Sequence, residues 1–173
     1  MINYKKAKDI LIKSKIKIQD EIKDSSKSLN RINSLDIYSN VNYPAGTNAA
    51  FDGFAINSKE TIKLNKNNIK EFKILKTIAA GDDPRLNKIK KYQTVEVMTG
   101  ALIPRSFDTI IPIEKIIFNK DKKYIQISEK IKKNQHIRYA GSDYKKKDLI
   151  IKRGSIIQPS HILAFKTLGI SKI

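Results

Sequence analysis

Between Thr47 and about Lys132 the chain is a succession of short apolar runs cut by turn residues, and this alternation restricts the fold more than any other feature. The candidate strands are Gly53–Ile56, Thr61–Leu64, Phe72–Thr77, Thr94–Met98, Thr109–Ile113 and Tyr124–Ile127. Gly81-Asp82-Asp83-Pro84, Gly100 to Pro104 and Asn119-Lys120-Asp121 separate them. Short strands at this spacing predict a small barrel or a folded sheet. There is no βαβ alternation and no phosphate-cradling glycine loop, so neither a Rossmann nor a P-loop domain is expected.

The flanks read differently. Asn3 caps a predicted helix whose apolar positions Tyr4, Ala7, Ile10 and Leu11 recur at helical spacing. After about Ser14 the pattern loosens, and Ile16 and Ile18 alternate like an extended segment. Asp24-Ser25-Ser26 predicts a second short helix through Leu29, and Leu35, Ile37 and Val41 alternate as a strand leading into Pro44-Ala45-Gly46. That tripeptide is the first strong break. Near the other end Leu149–Ile151 is strand-like, Arg153-Gly154 is a turn, and Gln158-Pro159 opens a helix that Gly169 closes. The expected fold class is therefore α+β. A small discontinuous α/β lobe, residues 1–45 and 133–173, carries an inserted, mostly β, barrel-like domain over 46–132.

Composition narrows the function. Without cysteine there are no disulfides, thiolate nucleophiles or zinc–thiolate sites. No apolar run approaches the roughly 18 to 20 residues of a membrane span. Lys5, Lys6, Lys8, Asp9 and Lys13 interrupt the N-terminus, which is not a secretory leader. A cytoplasmic protein with no membrane association is expected. The formal charge of +18 invites a nucleic-acid partner. Its excess is nearly all lysine, however, spread along the chain and not interleaved with aromatics as a stacking platform requires. No nucleic acid is expected, and the charge favours small anionic ligands.

Two loops stand out. Thr47 to Ile56 holds one carboxylate, Asp52, among small and apolar residues, with Gly53 directly after it. A charge in such company loses hydration unless a backbone turn, a metal ion or a ligand partners it. Met98-Thr99-Gly100-Ala101-Leu102-Ile103-Pro104 sets a hydroxyl and a glycine at the end of a strand-like run. Such loops suit a hard cation held through carboxylate and water, or an anion held by Thr99 and the backbone amides near Gly100. A capped turn explains either loop without function. Arg138-Tyr139-Ala140-Gly141-Ser142-Asp143 gathers a guanidinium, a glycine, a hydroxyl and a carboxylate, and its plain alternative is a salt-bridged tight turn. Asp82-Asp83-Pro84 reads as a turn, Asp108 and Glu114 as surface caps, and His136 and His161 as surface residues with no metal-ligand spacing.

At these same residues the chain resembles the N-terminal region of the molybdopterin molybdenumtransferase family, which includes the E domain of gephyrin. Asn48 to Ala55 resembles the family's Asn-Ser-Ala-Met-Asp-Gly-Tyr-Ala. Met98 to Ala101 with Pro104 matches its Met-Thr-Gly-Ala and following proline. Arg138, Gly141 and Asp143 match an Arg before a Gly-Glu-Asp turn. Gly154, Pro159 and Leu168-Gly169-Ile170 match its next segment in outline, and Asn30-Arg31-Ile32 resembles a Gly-Arg near its first helices. Thr47 stands where the family usually has Asp, Ser142 where it has Glu, and Asn30 where it has Gly.

The resemblance implies insertion of molybdate into adenylylated molybdopterin, releasing AMP and yielding the molybdenum cofactor with Mg²⁺ assistance. It implies that the discontinuous α/β lobe is of the dimerisation type. It implies a homodimer whose site lies between this region and a pterin-binding domain, which is expected in cis or trans because the family's third and fourth domains would follow Ile173. It assigns catalytic roles to Asp52 and Thr99, substrate binding to Gly53, Gly100, Arg138 and Asp143, and metal positioning to Asp52. The chain alone is expected not to be competent. The alternatives are a non-catalytic dimerisation or scaffold module of the same fold and, more distantly, a basic nucleic-acid-binding β module.

Overall fold

The computed structural model describes residues 2–14, 16 and 18–173. In chain order it contains helix α1 (Tyr4–Lys13), strands β1 (Ile37–Tyr38), β2 (Asn48–Ala49), β3 (Gly53–Ile56), β4 (Lys70–Ile78), β5 (Gln93–Val97), β6 (Thr109–Pro112), β7 (Ile117–Phe118), β8 (Tyr124–Ile127), β9 (Ile137–Arg138) and β10 (Leu149–Ile151), and helix α2 (Pro159–Thr167). The extended run expected after Ser14 falls partly on Lys15 and Lys17, outside the described residues. Among the described residues no helix is long and apolar enough to cross a membrane.

Two compact units emerge, one running up to Tyr38 and resuming over Leu149–Ile173, the other Ser39–Asp148. The joints therefore lie outside the expected positions near 45 and 133. The cause is backbone pairing: Ser39 N donates to Asp148 O at 2.8 Å, Tyr43 N to Tyr144 O at 2.7 Å and Gly141 N to Pro44 O at 2.9 Å. These bonds zip residues 39–44 to 141–148, so the Pro44-Ala45-Gly46 break is a bend inside the second unit. Arg138 and Asp143 consequently belong with Asp52 and Thr99.

In the first unit, Asn3 Oδ1 accepts from Lys6 N at 2.9 Å and starts α1, none of whose described residues is buried. The second expected helix is a single 3-10 turn, Ser25–Lys27, capped by Asp24. β1 pairs antiparallel with β10, Ile37 facing Ile151. Ile151, Ile157 and Phe165 form the core beside them. In α2 the ring of His161 has a capping task, its Nδ1 accepting from Gln158 N at 3.0 Å. Gly169, at φ +72°, ends the helix and lets Ile170 N reach Phe165 O at 2.7 Å.

The second unit is built on a curled six-stranded sheet, a half-barrel, in the order β6-β3-β5-β4-β8-β7. Its linear order leaves β6 and β7 as edges, so the barrel is partial. Five neighbouring strands matched expected runs to within a residue or two. Thr61–Leu64 did not: Asn57 caps a 3-10 turn over Ser58–Thr61 instead, and buried Thr61 Oγ1 donates to Ser58 O at 2.8 Å while accepting from Ile131 N. A side chain with that hydrogen-bonding competes with strand pairing. β4 and β5 run parallel, joined by the helix-free segment 79–92.

Alternation along the strands sends two sets of residues into two cores. Phe54, Ile56, Phe72, Ile111 and Ile125 fill one with large side chains. Ala49, Ala55 and Ala101 join Ile78, Val95, Val97 and Ile110 in the other. Three alanines on that side allow the segments around Ala49 and Ala101 to lie close against the sheet. Gly53 serves the same closeness, because a Cβ there would fall on the Ile111 carbonyl of neighbouring β6. Gly53→Ala must push β3 and β6 apart, and we expect a loss of about 2 kcal/mol, read as a lowered urea midpoint at unchanged slope.

Candidate functional site

The two motif loops meet as a backbone ladder. Ala49 N donates to Ala101 O and Gly100 N to Ala49 O, both at 2.9 Å, and Ile103 N donates to Thr47 O at 3.1 Å. On the other side of the same segment, β2 pairs antiparallel with β9, Asn48 opposite Arg138, and Ala50 N donates to His136 O at 3.0 Å. The segment 47–50 is thus the middle of three, and it brings Asp52, Thr99 and Arg138 onto one part of the second unit.

At one end of the ladder Asp52 reaches across to Thr99. Its Oδ1 accepts from Thr99 N at 2.6 Å and from Thr99 Oγ1 at 2.7 Å. The side-chain bond first, and the backbone bond second, hold the Asp52 carboxyl below its ordinary value although it is exposed. A lowered carboxyl contributes stability above its ordinary titration range and loses that contribution as pH falls through the lowered value. The capped-turn alternative therefore describes a real task of Asp52, except that it caps a loop distant in sequence.

One expectation fails here. Thr99 N is taken by Asp52, Gly100 N by Ala49 and Ala101 N by Met98 O at 2.9 Å. The amides near Gly100 are committed to the fold, so they are not a backbone cradle for an anion. Gly100 instead supplies a left-handed backbone, φ +85°, that turns the loop. Gly53 and Gly100 thus answer backbone demands, the close approach of β6 at one and the turn of the loop at the other.

Arg138 and Asp143 form the salt-bridged turn anticipated as the plain reading, with the Arg138 guanidinium on Asp143 Oδ2. Ser142 Oγ donates to Asp143 Oδ1 at 3.1 Å, and Thr47 Oγ1 accepts from Ala140 N at 3.4 Å. Both ion-pair partners are partly exposed, so the pair adds little stability and mainly orients the guanidinium. Sequence reasoning passed over His136, whose ring meets Phe51 edge-on at 4.9 Å. Its only sequence signal is its position two residues before Arg138. Asn48 Oδ1 is buried with no hydrogen-bond partner among the described residues, an acceptor the pattern alone did not flag.

The remaining acids are structural. Asp82 Oδ2 accepts from Ala79 N at 2.8 Å, Asp83 holds Arg85, and Asp108 accepts from Ser58 N at 2.7 Å and Ser58 Oγ at 2.9 Å. Among the described residues no group of three or more His, Asp or Glu is placed to hold a metal ion. Asp52 is a lone carboxylate, Asp143 is engaged by Arg138, and a hard cation needs about six oxygens. The protein's own donors therefore do not fit a resident Mg²⁺.

Replacing Thr99 by Val removes the side-chain bond, the larger of the two causes that lower the Asp52 pKa. The Asp52 pKa should rise toward its ordinary 3.8 in Thr99→Val, measured by carbon-detected NMR titration of the carboxyl. An unmoved value would show that Thr99 does not set the charge state of Asp52.

With this geometry established, known proteins give the comparison. A family model described as the MoeA N-terminal region (domain I and II) matches residues 2–169. The molybdopterin molybdenumtransferase of Staphylococcus aureus strain Mu50 is 32% identical over 148 residues, 85% of this chain and 34% of that protein. The Haemophilus influenzae protein of the same name is 31% identical over 158 residues, 90% of this chain and 37% of that one. The crystal structure of a molybdopterin biosynthesis MoeA protein from Pyrococcus horikoshii OT3 superposes with a TM-score of 0.86 at 25% identity, covering 100% of this chain and 45% of that chain. This chain spans about a third of the length of those curated relatives. With a curled half-barrel and a family match over nearly its whole length, the chain belongs to the MoeA N-terminal family.

Proposed function

We propose that this chain acts as the N-terminal part of a molybdopterin molybdenumtransferase, in the insertion of molybdate into adenylylated molybdopterin with release of AMP. The observation that carries this is the Asp52–Thr99 contact, which joins the two family motifs through a pair of short hydrogen bonds. Asp52 fixes the Thr99 side chain, whose oxygen remains able to accept a further bond. Its negative charge keeps the hydroxyl proton directed at itself until a stronger acceptor arrives. Arg138, aimed by Asp143, attracts the anionic substrate. Gly53 and Gly100 let the backbones carrying these groups approach.

Neither Asp52 nor Thr99 lines a sizeable cavity among the described residues. The substrate's other wall is assigned to a pterin-binding domain, in cis or in trans, within a homodimer in the cytoplasm. Mg²⁺ arrives with the phosphate-bearing substrate, since magnesium binds such phosphates with only one or two protein carboxylates. A second possibility, a non-catalytic dimerisation or scaffold module, draws support from the mutual neutralisation of Arg138 and Asp143 and from the single carboxylate at Thr99.

Mixing the chain with a separately produced pterin-binding domain from the Staphylococcus aureus relative, adenylylated molybdopterin and molybdate distinguishes them. AMP release requiring both proteins is expected. Asp52→Asn, which keeps the shape but removes the charge, should slow it at least about tenfold. AMP release at an unchanged rate in Asp52→Asn would refute the catalytic role of Asp52. No release with the unsubstituted chain, alongside retained self-association, would favour the scaffold.

A further inference from the structure

At the end of the ladder away from Asp52 lies a groove that the proposed chemistry does not use. A cavity of about 950 Å³ and a smaller one of about 250 Å³ adjoin there, sharing Thr47, Ile103, Pro104 and Arg105. None of Asp52, Gly53, Thr99, Gly100, Arg138 and Asp143 lines either one.

The groove has two chemically distinct sides. Leu86, Ile89, Leu102 and Ile103 make an apolar wall in the larger cavity, and Leu102 is 38% exposed. The polar part of the lining comes from the turn Pro104 to Phe107, closed by Phe107 N on Pro104 O at 3.0 Å. The backbone N–H groups of its two central residues, Arg105 and Ser106, have no protein acceptor among the described residues. Ser106 adds a hydroxyl, and Asn87 an amide.

Charge selects the ligand. Arg105 forms none of the ion pairs among the described residues. The acids and bases around it are already occupied. Asp108 of the smaller cavity gives both carboxylate oxygens to Ser58, and Arg85 of the larger one is held by Asp83 through Nε at 2.7 and 3.0 Å. One guanidinium, two amides and a hydroxyl offer more donors than the two oxygens of a carboxylate can use, and match a tetrahedral oxyanion. The surrounding charge of +18 raises the local concentration of such anions. The larger volume is that of an organic ligand, well beyond a bare ion.

We propose that this groove binds an aromatic phosphate monoester, with the phosphate on Arg105 and its turn and the ring against Leu86, Ile89 and Leu102. This site is separate from the Asp52–Thr99 pair and stands whether or not that pair is catalytic.

The test uses 1-naphthyl phosphate with the full 173-residue chain. The chain has no tryptophan, so naphthalene emission is read without overlap. Saturable binding is expected, at least about tenfold tighter than 1-naphthol, inorganic phosphate or 1-naphthoate, each measured by competition. Arg105→Ala should weaken it at least about tenfold at unchanged thermal midpoint. Lys120→Ala, which removes the same charge from a remote turn, should leave it unaltered. Equal binding of 1-naphthol would mean an apolar surface only, and equal binding of 1-naphthoate would mean a carboxylate site. Undiminished binding in Arg105→Ala, or an equal loss in Lys120→Ala, would mean diffuse attraction to the lysines. Any of these four results, or no saturable binding at millimolar probe, overturns the proposal.

Discussion

The site depends on the backbone of Ala49, which bonds Gly100 and Ala101 on one side while its strand pairs with Ile137 and Arg138 on the other. This ladder makes neighbours of residues 47–50, 98–103 and 136–138. The ladder holds because the side chain under it is a methyl group. Ala49, Ala55 and Ala101 together keep that core thin enough for the segments to seat against β3 and β5. A larger residue at any of the three would lift the ladder and separate Asp52 from Thr99 before it altered a single charge.

That arrangement also fixes where chemistry is available. Backbone donors of the 98–101 loop are spent on holding the ladder, and the Asp52 charge is spent on holding Thr99. What remains for a ligand is side-chain oxygen and the guanidinium of Arg138. In the proposed function Asp52 is therefore a positioning charge, and Thr99 is the group that meets the substrate. The pKa of Asp52 lies below the ordinary carboxylate value because of the two bonds from Thr99, so the charge that makes the contact is present across ordinary cellular pH.

Much of this was legible in the residues. Strand periodicity located Gly53–Ile56 and Tyr124–Ile127 with their observed bounds, since an alternating apolar run has one economical way to bury itself. Asn3, Asp24 and Gly169 act as the caps their chemistry predicts. Local pattern misled at Thr61, where a side-chain hydroxyl closes a turn, and at Pro44-Ala45-Gly46, where a strong breaker lies inside a unit because distant backbone pairs across it. The loop amides were misjudged for the same reason: whether an N–H is free depends on which segment arrives beside it. Motif resemblance named Asp52, Thr99 and Arg138, and nothing in their spacing revealed that Asp52 and Thr99 touch. Arg105 carried no signal, being one basic residue among many, and His136 only its place two residues before Arg138.

The interrupted first unit has a bearing on how the chain acquires its structure. Its pairing of Ile37 with Ile151 closes a loop that contains the whole of Ser39–Asp148. An unfolded loop of that length resists closure entropically. A folded second unit removes the resistance, because Ser39 and Asp148 are already hydrogen-bonded at its base. On a ribosome the inserted unit is complete in sequence before β10 and α2 have been made. A half-barrel that folds first brings Tyr38 and Leu149 within reach of each other, and a lesion in it would then surface as misassembly of a region it does not encode.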